Sequence, residues 1–137
     1  MKLHFTEEAQ ARIKTFMKED ERLLLDFEDA QGPFVDSAAS CQLYPNFRFL
    51  IVPEALSEEL AVYDDQLATE LGTVWMKKTS ERYLDQSVCV RIEKAYQRLQ
   101  LTSDNGILVA NVPIKRIELD EMRGSYGEIS SSHRPSC

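Results

Sequence analysis

The 137-residue chain is short of the residue types that most often carry chemistry: it has three cysteines, two histidines and one tryptophan. Cys41, Cys89 and Cys137 are odd in number and widely spaced, which argues against a disulfide framework and for reduced thiols in a cytosol. No Cys-x-x-Cys or His-x-x-x-His spacing occurs, so a self-contained zinc site is not expected. His4, between Leu3 and Phe5, reads as a satisfied edge histidine, and His133 falls near the C-terminus. There is no glycine-rich phosphate loop before a helix, no Gly-x-Ser-x-Gly elbow and no His-Glu-x-x-His, so enzymatic activity is not expected. Cations are also scarce, with 16 Lys and Arg against 23 Asp and Glu. The net charge of −7 repels phosphate backbones and anionic lipid, which argues against nucleic acid and membrane as partners. The longest apolar run, "FLIV" at 49–52, is far below the roughly 20 residues of a membrane span. "MKLHFTEEAQ" has neither the apolar core nor the cleavage site of a signal peptide. These absences predict a single soluble, cytoplasmic domain.

What is present suits such a domain. Hydrophobic residues make up 43% and charged residues 28%, and a chain of this length should bury about 70% of its unfolded surface. "LHF" at 3–5 reads as a short strand, followed by Thr6 as an N-cap and Glu7 and Glu8 where the helix dipole favours anions. Ala9, Ile13, Phe16 and Met17 then form a helical apolar stripe, which "KEDE" at 18–21 ends. "RLLLDFED" at 22–29 alternates Leu23, Leu25 and Phe27 against Leu24, Asp26 and Glu28, the period of a strand. "QGPF" at 31–34 is turn chemistry. "FRFLIVP" at 47–53 is the most apolar strand, ended by Pro53, which has no N–H to donate.

Further on, an extended piece at 60–64, a strand at 73–78 and a helical turn at 80–85 capped by Ser80 are expected. "VCVRI" at 88–92 alternates, and "YQRLQL" and "GILVA" flank "SDNG", whose Asn105-Gly106 is a hairpin signal. The prediction is six to eight short strands and one helix, in one domain over 1–122 with a flexible polar tail over 123–137.

The thiol most open to function is Cys41, in the small and polar run "DSAASCQLYP" at 36–45. Three readings stay open from its surroundings: a metal or cluster ligand, a small packed side chain, and a nucleophile. The third lacks a neighbouring base, since "VDSAASCQL" supplies Asp36 and no cation. Cys89, between Val88 and Val90, reads as structural, and Cys137 ends the tail. The acidic clusters Glu58-Glu59, Asp64-Asp65 and Glu118 with Asp120 and Glu121 read as a solvated face, and Trp75 and Met76 as core or interface.

Three segments in order resemble the HesB/IscA-like (A-type) iron–sulfur cluster biosynthesis family, in its Gram-positive bacterial branch. "LHFTEEAQARIKTFM" at 3–17 is similar to the family's opening strand and helix. Cys41 falls where the family places its first cysteine, before a long apolar strand. "YLDQSVCVRI" and "QLTSDNGILVANVP" resemble its Tyr-Leu-Asp turn and closing hairpin. Family members carry a Cys-x-Cys pair after that hairpin; this chain reads "IKRIELDEMRG" there.

The resemblance implies a mainly β, α+β fold: a β-sandwich or pseudo-barrel of short mixed strands with one N-terminal helix outside. It implies handling of iron or an iron–sulfur cluster, bound transiently if at all, through Cys41 as metal and cofactor ligand. It further implies a homodimer and partners among iron–sulfur assembly or recipient proteins. A cluster takes about four thiolates or equivalent donors. Two copies of Cys41 in a dimer leave two to come from glutathione, a partner's cysteines or oxygen ligands. The alternative is a degenerate relative that kept the scaffold and works as a protein-interaction module without metal.

Overall fold

The computed structural model describes residues 1–28, 46–56 and 58–118. Among the described residues, nine strands and one α-helix follow in the order β1 (Lys2–Phe5), α1 (Glu7–Lys14), β2 (Glu21–Phe27), β3 (Phe47–Pro53), β4 (Asp65–Thr69), β5 (Gly72–Met76), β6 (Ser87–Ile92), β7 (Leu99–Ser103), β8 (Gly106–Val109) and β9 (Ile114–Arg116). They form two mixed sheets, β1-β6-β7-β8 and β4-β5-β2-β3-β9, and neither closes into a barrel. The mainly β architecture with one N-terminal helix is thus the one expected. The turn at 31–34, Cys41, Cys137, His133, Asp120, Glu121 and the tail 123–137 lie outside the described residues.

The helix starts as its sequence dictates: Thr6 stays extended and its Oγ1 accepts from the Ala9 N–H at 3.2 Å. Ala9 and Ile13 are fully buried. The helix stops at Lys14, however, with Thr15 as its last cap. Phe16, expected on the apolar stripe, is therefore 46% exposed. Between the sheets lies the main core, where Leu3, Phe5, Val88, Val90 and Leu101 of one sheet meet Leu23, Leu25, Phe49, Ile51 and Val74 of the other. A side chain as deeply buried as Phe49 contributes on the order of 3 kcal/mol.

A second, smaller core covers the opposite face of the five-stranded sheet: Leu24, Leu50 and Val52 beneath Leu56, Leu60, Tyr63 and Ile117. It explains one departure from the expected pattern and the full burial of β2. Residues 60–64 do not extend; a 3₁₀ turn, Glu59–Val62, drops Leu60 and Tyr63 onto the sheet before β4 begins. β2 is also not half-solvated, since Leu23 through Phe27 are all buried. Its alternation therefore separates two cores, not core from water.

The remaining differences are local. Ser80 lies inside the 3₁₀ turn Lys78–Tyr83, its Oγ donating to the Lys77 carbonyl, and does not cap it. Gln97 takes a positive φ of 58°, so β7 starts at Leu99 instead of residue 96. The β7–β8 turn sits at the expected place, and there only Gly106 uses the left-handed region, at φ 108°.

Candidate functional site

β2 and β3 pair antiparallel from Glu21↔Pro53 to Phe27↔Phe47. The Glu28 N–H donates to the Asn46 carbonyl at 2.8 Å, tying together the two ends from which residues 29–45 run. Cys41 is on that segment, five positions before Asn46. Around this neck the five-stranded sheet buries charge. Asp26 and Arg48 are register partners, 3% and 5% exposed. The Asp26 carboxylate accepts from Arg48 Nε at 2.9 Å and from the Tyr63 hydroxyl at 2.7 Å. Lys77 Nζ is 3.7 Å from the same carboxylate and donates to the Phe27 carbonyl at 3.1 Å. Glu28 brings a second carboxylate to 3.7 Å from Arg48 Nε.

Burying such ions costs several kcal/mol each, which close pairing and further hydrogen bonds must offset. Every buried side-chain N or O among the described residues has a partner. A network so fully partnered holds geometry. In the sequence Asp26 shares a strand face with Leu24 and Glu28, and neither it nor Arg48 stands out as a functional residue. The available signal was one charge within each apolar run, "LLLDF" and "FRFLIV".

Aromatic side chains continue the neck outward. Phe27 lies 4.9 Å from Phe47 between ring centres and stacks on Tyr83 at 4.3 Å and 26°. Tyr83 itself is 54% exposed. A cleft of about 460 Å³ opens beside the neck, lined by Glu28, Asn46, Leu108, Asn111 and Pro113 among others.

The described thiol, Cys89, sits on β6 opposite His4 of β1 and Thr102 of β7. Desolvation pushes its pKa above the ordinary value; Arg91 pulls it down and Glu70 adds to the rise. A thiol whose thiolate is disfavoured is a poorer nucleophile. His4 is partnered as expected, with Nδ1 3.2 Å from Glu70 Oε2. Glu70 also accepts the Phe5 N–H at 2.9 Å, and that bond first, with His4 contributing, holds its carboxyl below the usual range. Among the described residues no three His, Cys, Asp or Glu side chains form a set able to hold a metal ion.

Of the acidic clusters, Asp64 accepts the Lys78 N–H at 2.9 Å; elsewhere Asp85 accepts from Ser103 and Asn105. Arg22 lies 4.4 Å from the centre of the Trp75 ring, which packs on the second core, while Met76 is fully buried in the main one. No helix among the described residues is long and apolar enough to cross a membrane.

Fold and neck together define a class: a small two-sheet α+β protein whose central antiparallel pair carries a cysteine-bearing segment on a buried, charge-knit root. The chain belongs to the HesB/IscA family, whose model, described as iron-sulphur cluster biosynthesis, matches residues 1–116. Two solved structures resemble it. One is a candidate Fe-S biosynthesis protein of novel fold from Lactobacillus salivarius, 25% identical, with a TM-score of 0.72 over 85% of this chain and 98% of that one. The other, a candidate Fe-S biosynthesis protein from Lactobacillus acidophilus, is 19% identical, with a TM-score of 0.64 over 85% and 90%. No curated protein matches at a significant level.

Proposed function

We propose that this protein serves iron–sulfur cluster assembly by carrying or delivering iron or a cluster, as cargo, through Cys41. The observation that supports this most is the family match over residues 1–116, a span that includes Cys41 and both strands that flank its segment. The chemistry of the other described donors adds to it by elimination. Desolvation disfavours the thiolate of Cys89, and His4 is engaged with Glu70.

One thiolate per chain falls short of the roughly four donors a cluster takes. The cargo is therefore shared, with a second copy of the chain, glutathione, or the cysteines of an assembly or recipient protein completing the shell. A donor set completed from outside suits transfer, because the cargo leaves when the outside ligands do. On this reading the protein is a cytoplasmic carrier and not an enzyme.

Anaerobic reconstitution with iron and sulfide tests the reading. Wild type and Cys89→Ser should give a brown, visible-absorbing species that Cys41→Ser does not. A colourless wild type, or equal colour in wild type and Cys41→Ser, overturns it.

A further inference from the structure

We infer that the groove between the end of α1, the β6–β7 turn and the link into β9 docks an acidic segment of a partner protein. Arg12 and Arg98 take carboxylates of that segment, and Phe16 with Pro113 takes an apolar side chain. The inference goes beyond the carrier reading and needs neither Cys41 nor cargo.

The groove has a volume of about 260 Å³. That is below the roughly 300–1,000 Å³ of small-molecule pockets and suits a few side chains of an extended chain. Its floor is apolar, since Leu99 and Val112 line it and are buried in the main core. One wall is Phe16, 46% exposed just beyond the end of the helix. Phe16 is held there: its N–H donates to the Ile13 carbonyl at 3.0 Å, and its carbonyl accepts from Arg116 Nη1.

Among the described residues, both charged side chains that line the groove are arginines, on a chain of net charge −7. Arg12 Nη1 donates to the Gln97 carbonyl at 2.8 Å, which sets it beside the turn that carries Arg98. Arg98 Nε lies 3.3 Å from Glu93 Oε1, and its guanidinium is 4.8 Å from the centre of the Tyr96 ring. The same Glu93 oxygen accepts the Tyr96 N–H at 2.9 Å, so one carboxylate is shared between the turn and Arg98. Nε and Nη2 of Arg12 and both Nη atoms of Arg98 make no hydrogen bond among the described residues. A guanidinium is a planar fork of donors that fits a carboxylate with two parallel bonds. Two such forks beside an exposed aromatic wall match the centre of an interface, where Arg and aromatic side chains carry most of the binding energy.

Charge decides the occupant. The overall negative charge disfavours a long polyanion such as nucleic acid. A short acidic segment meets the two arginines locally, while carboxylates beyond the Debye length, about 8 Å at physiological salt, are screened. Wall and turn are already held in place, so little ordering cost falls on this side of the complex.

The test titrates full-length, metal-free, isotope-labelled protein with the peptide acetyl-Asp-Glu-Leu-Asp-Glu-amide and follows it by NMR. The control, acetyl-Asn-Gln-Leu-Asn-Gln-amide, keeps the leucine and loses the charge. The acidic peptide should shift the Gln97, Arg98 and Ile114 amides and the Nε–H signals of both arginines, more weakly as salt rises. The control should shift none of them. Arg12→Met and Arg98→Met should each weaken binding several-fold, and the double variant should abolish it. Phe16→Ala should weaken it without changing its salt dependence. The two arginines make only exposed contacts, so their variants keep the fold, and unchanged amide signals far from the groove check this. Absence of shifts, shifts spread over the exposed Lys2 and Lys78, equal binding of the control, or binding retained in the double variant overturns the inference. Self-association of the protein through the groove, seen by sedimentation, also overturns it, because a second copy is then the occupant. Reconstitution of wild type, brown or colourless, bears on Cys41 and leaves this result unaffected.

Discussion

At the scale of single residues, the molecule separates side chains that look alike in sequence. Arg48 and Arg98 are both strand-side arginines with a carboxylate partner. The Arg48 side chain is 6% exposed and the Arg98 side chain 44% exposed. Removing Arg48 strands the Asp26 carboxylate in a buried site, so Arg48→Met should lower unfolding free energy by about 3–5 kcal/mol in urea melts. Arg98→Met, which breaks only a surface pair, should stay within about 1 kcal/mol of wild type. Equal losses would mean that burial of the network is not what makes it matter. Burial also sets the character of Cys89, which lies in a strand where desolvation disfavours its thiolate.

At the scale of elements, turns and caps decide where each strand starts. Gly106 sits at φ 108°, a conformation side chains with a Cβ rarely adopt, although nothing lies within 4 Å of where a Cβ would be. Gly106→Val should therefore cost about 1–2 kcal/mol through backbone strain and not through a clash. Gly106→Asn should recover part of it, because Asn tolerates positive φ; thermal melts of the two variants check this, and an equal loss in both would contradict the strain argument.

Elements with a local chemical signature were legible in the sequence. Thr6 with its two glutamates, the Asn105-Gly106 turn and the Pro53 strand end all act through neighbours close in the chain. Elements decided by distant partners were not legible. The 59–62 turn looks extended until Leu60 and Tyr63 find Leu24 and Leu50 across the sheet. Asp26 looks solvated until Tyr63 and Lys77 reach it from 37 and 51 positions away. The candidate site divides the same way. Cys41 stood out by its place in the sequence before a long apolar strand, while the Asp26–Arg48 network of β2 and β3 depends on contacts that no local window contains.

At the scale of the whole molecule, carboxylates shape the response to acid. Glu70, Asp64, Asp85 and Glu93 are all held below their ordinary values. For Glu70 the leading cause is the Phe5 N–H, for Asp64 the Lys78 N–H, and for Asp85 the Ser103 hydroxyl. A carboxylate with a depressed folded-state pKa stabilises the fold above its unfolded value, and that stability disappears as pH falls through the folded one. Stability should thus be flat near neutrality and decline below about pH 4.5, the ordinary glutamate value. Glu70→Gln, which removes the link between β1 and the β4–β5 turn, should flatten part of that decline; an unchanged acid profile in the variant would show that Glu70 has no share in it.

The proposed carrier role puts the cargo on Cys41. Iron and acid-labile sulfide content of protein isolated without oxygen, wild type beside Cys41→Ser, measures this most directly. The account predicts iron in stoichiometric proportion to wild-type chains and its loss in Cys41→Ser. Wild-type protein free of iron, or iron retained undiminished in Cys41→Ser, would contradict it.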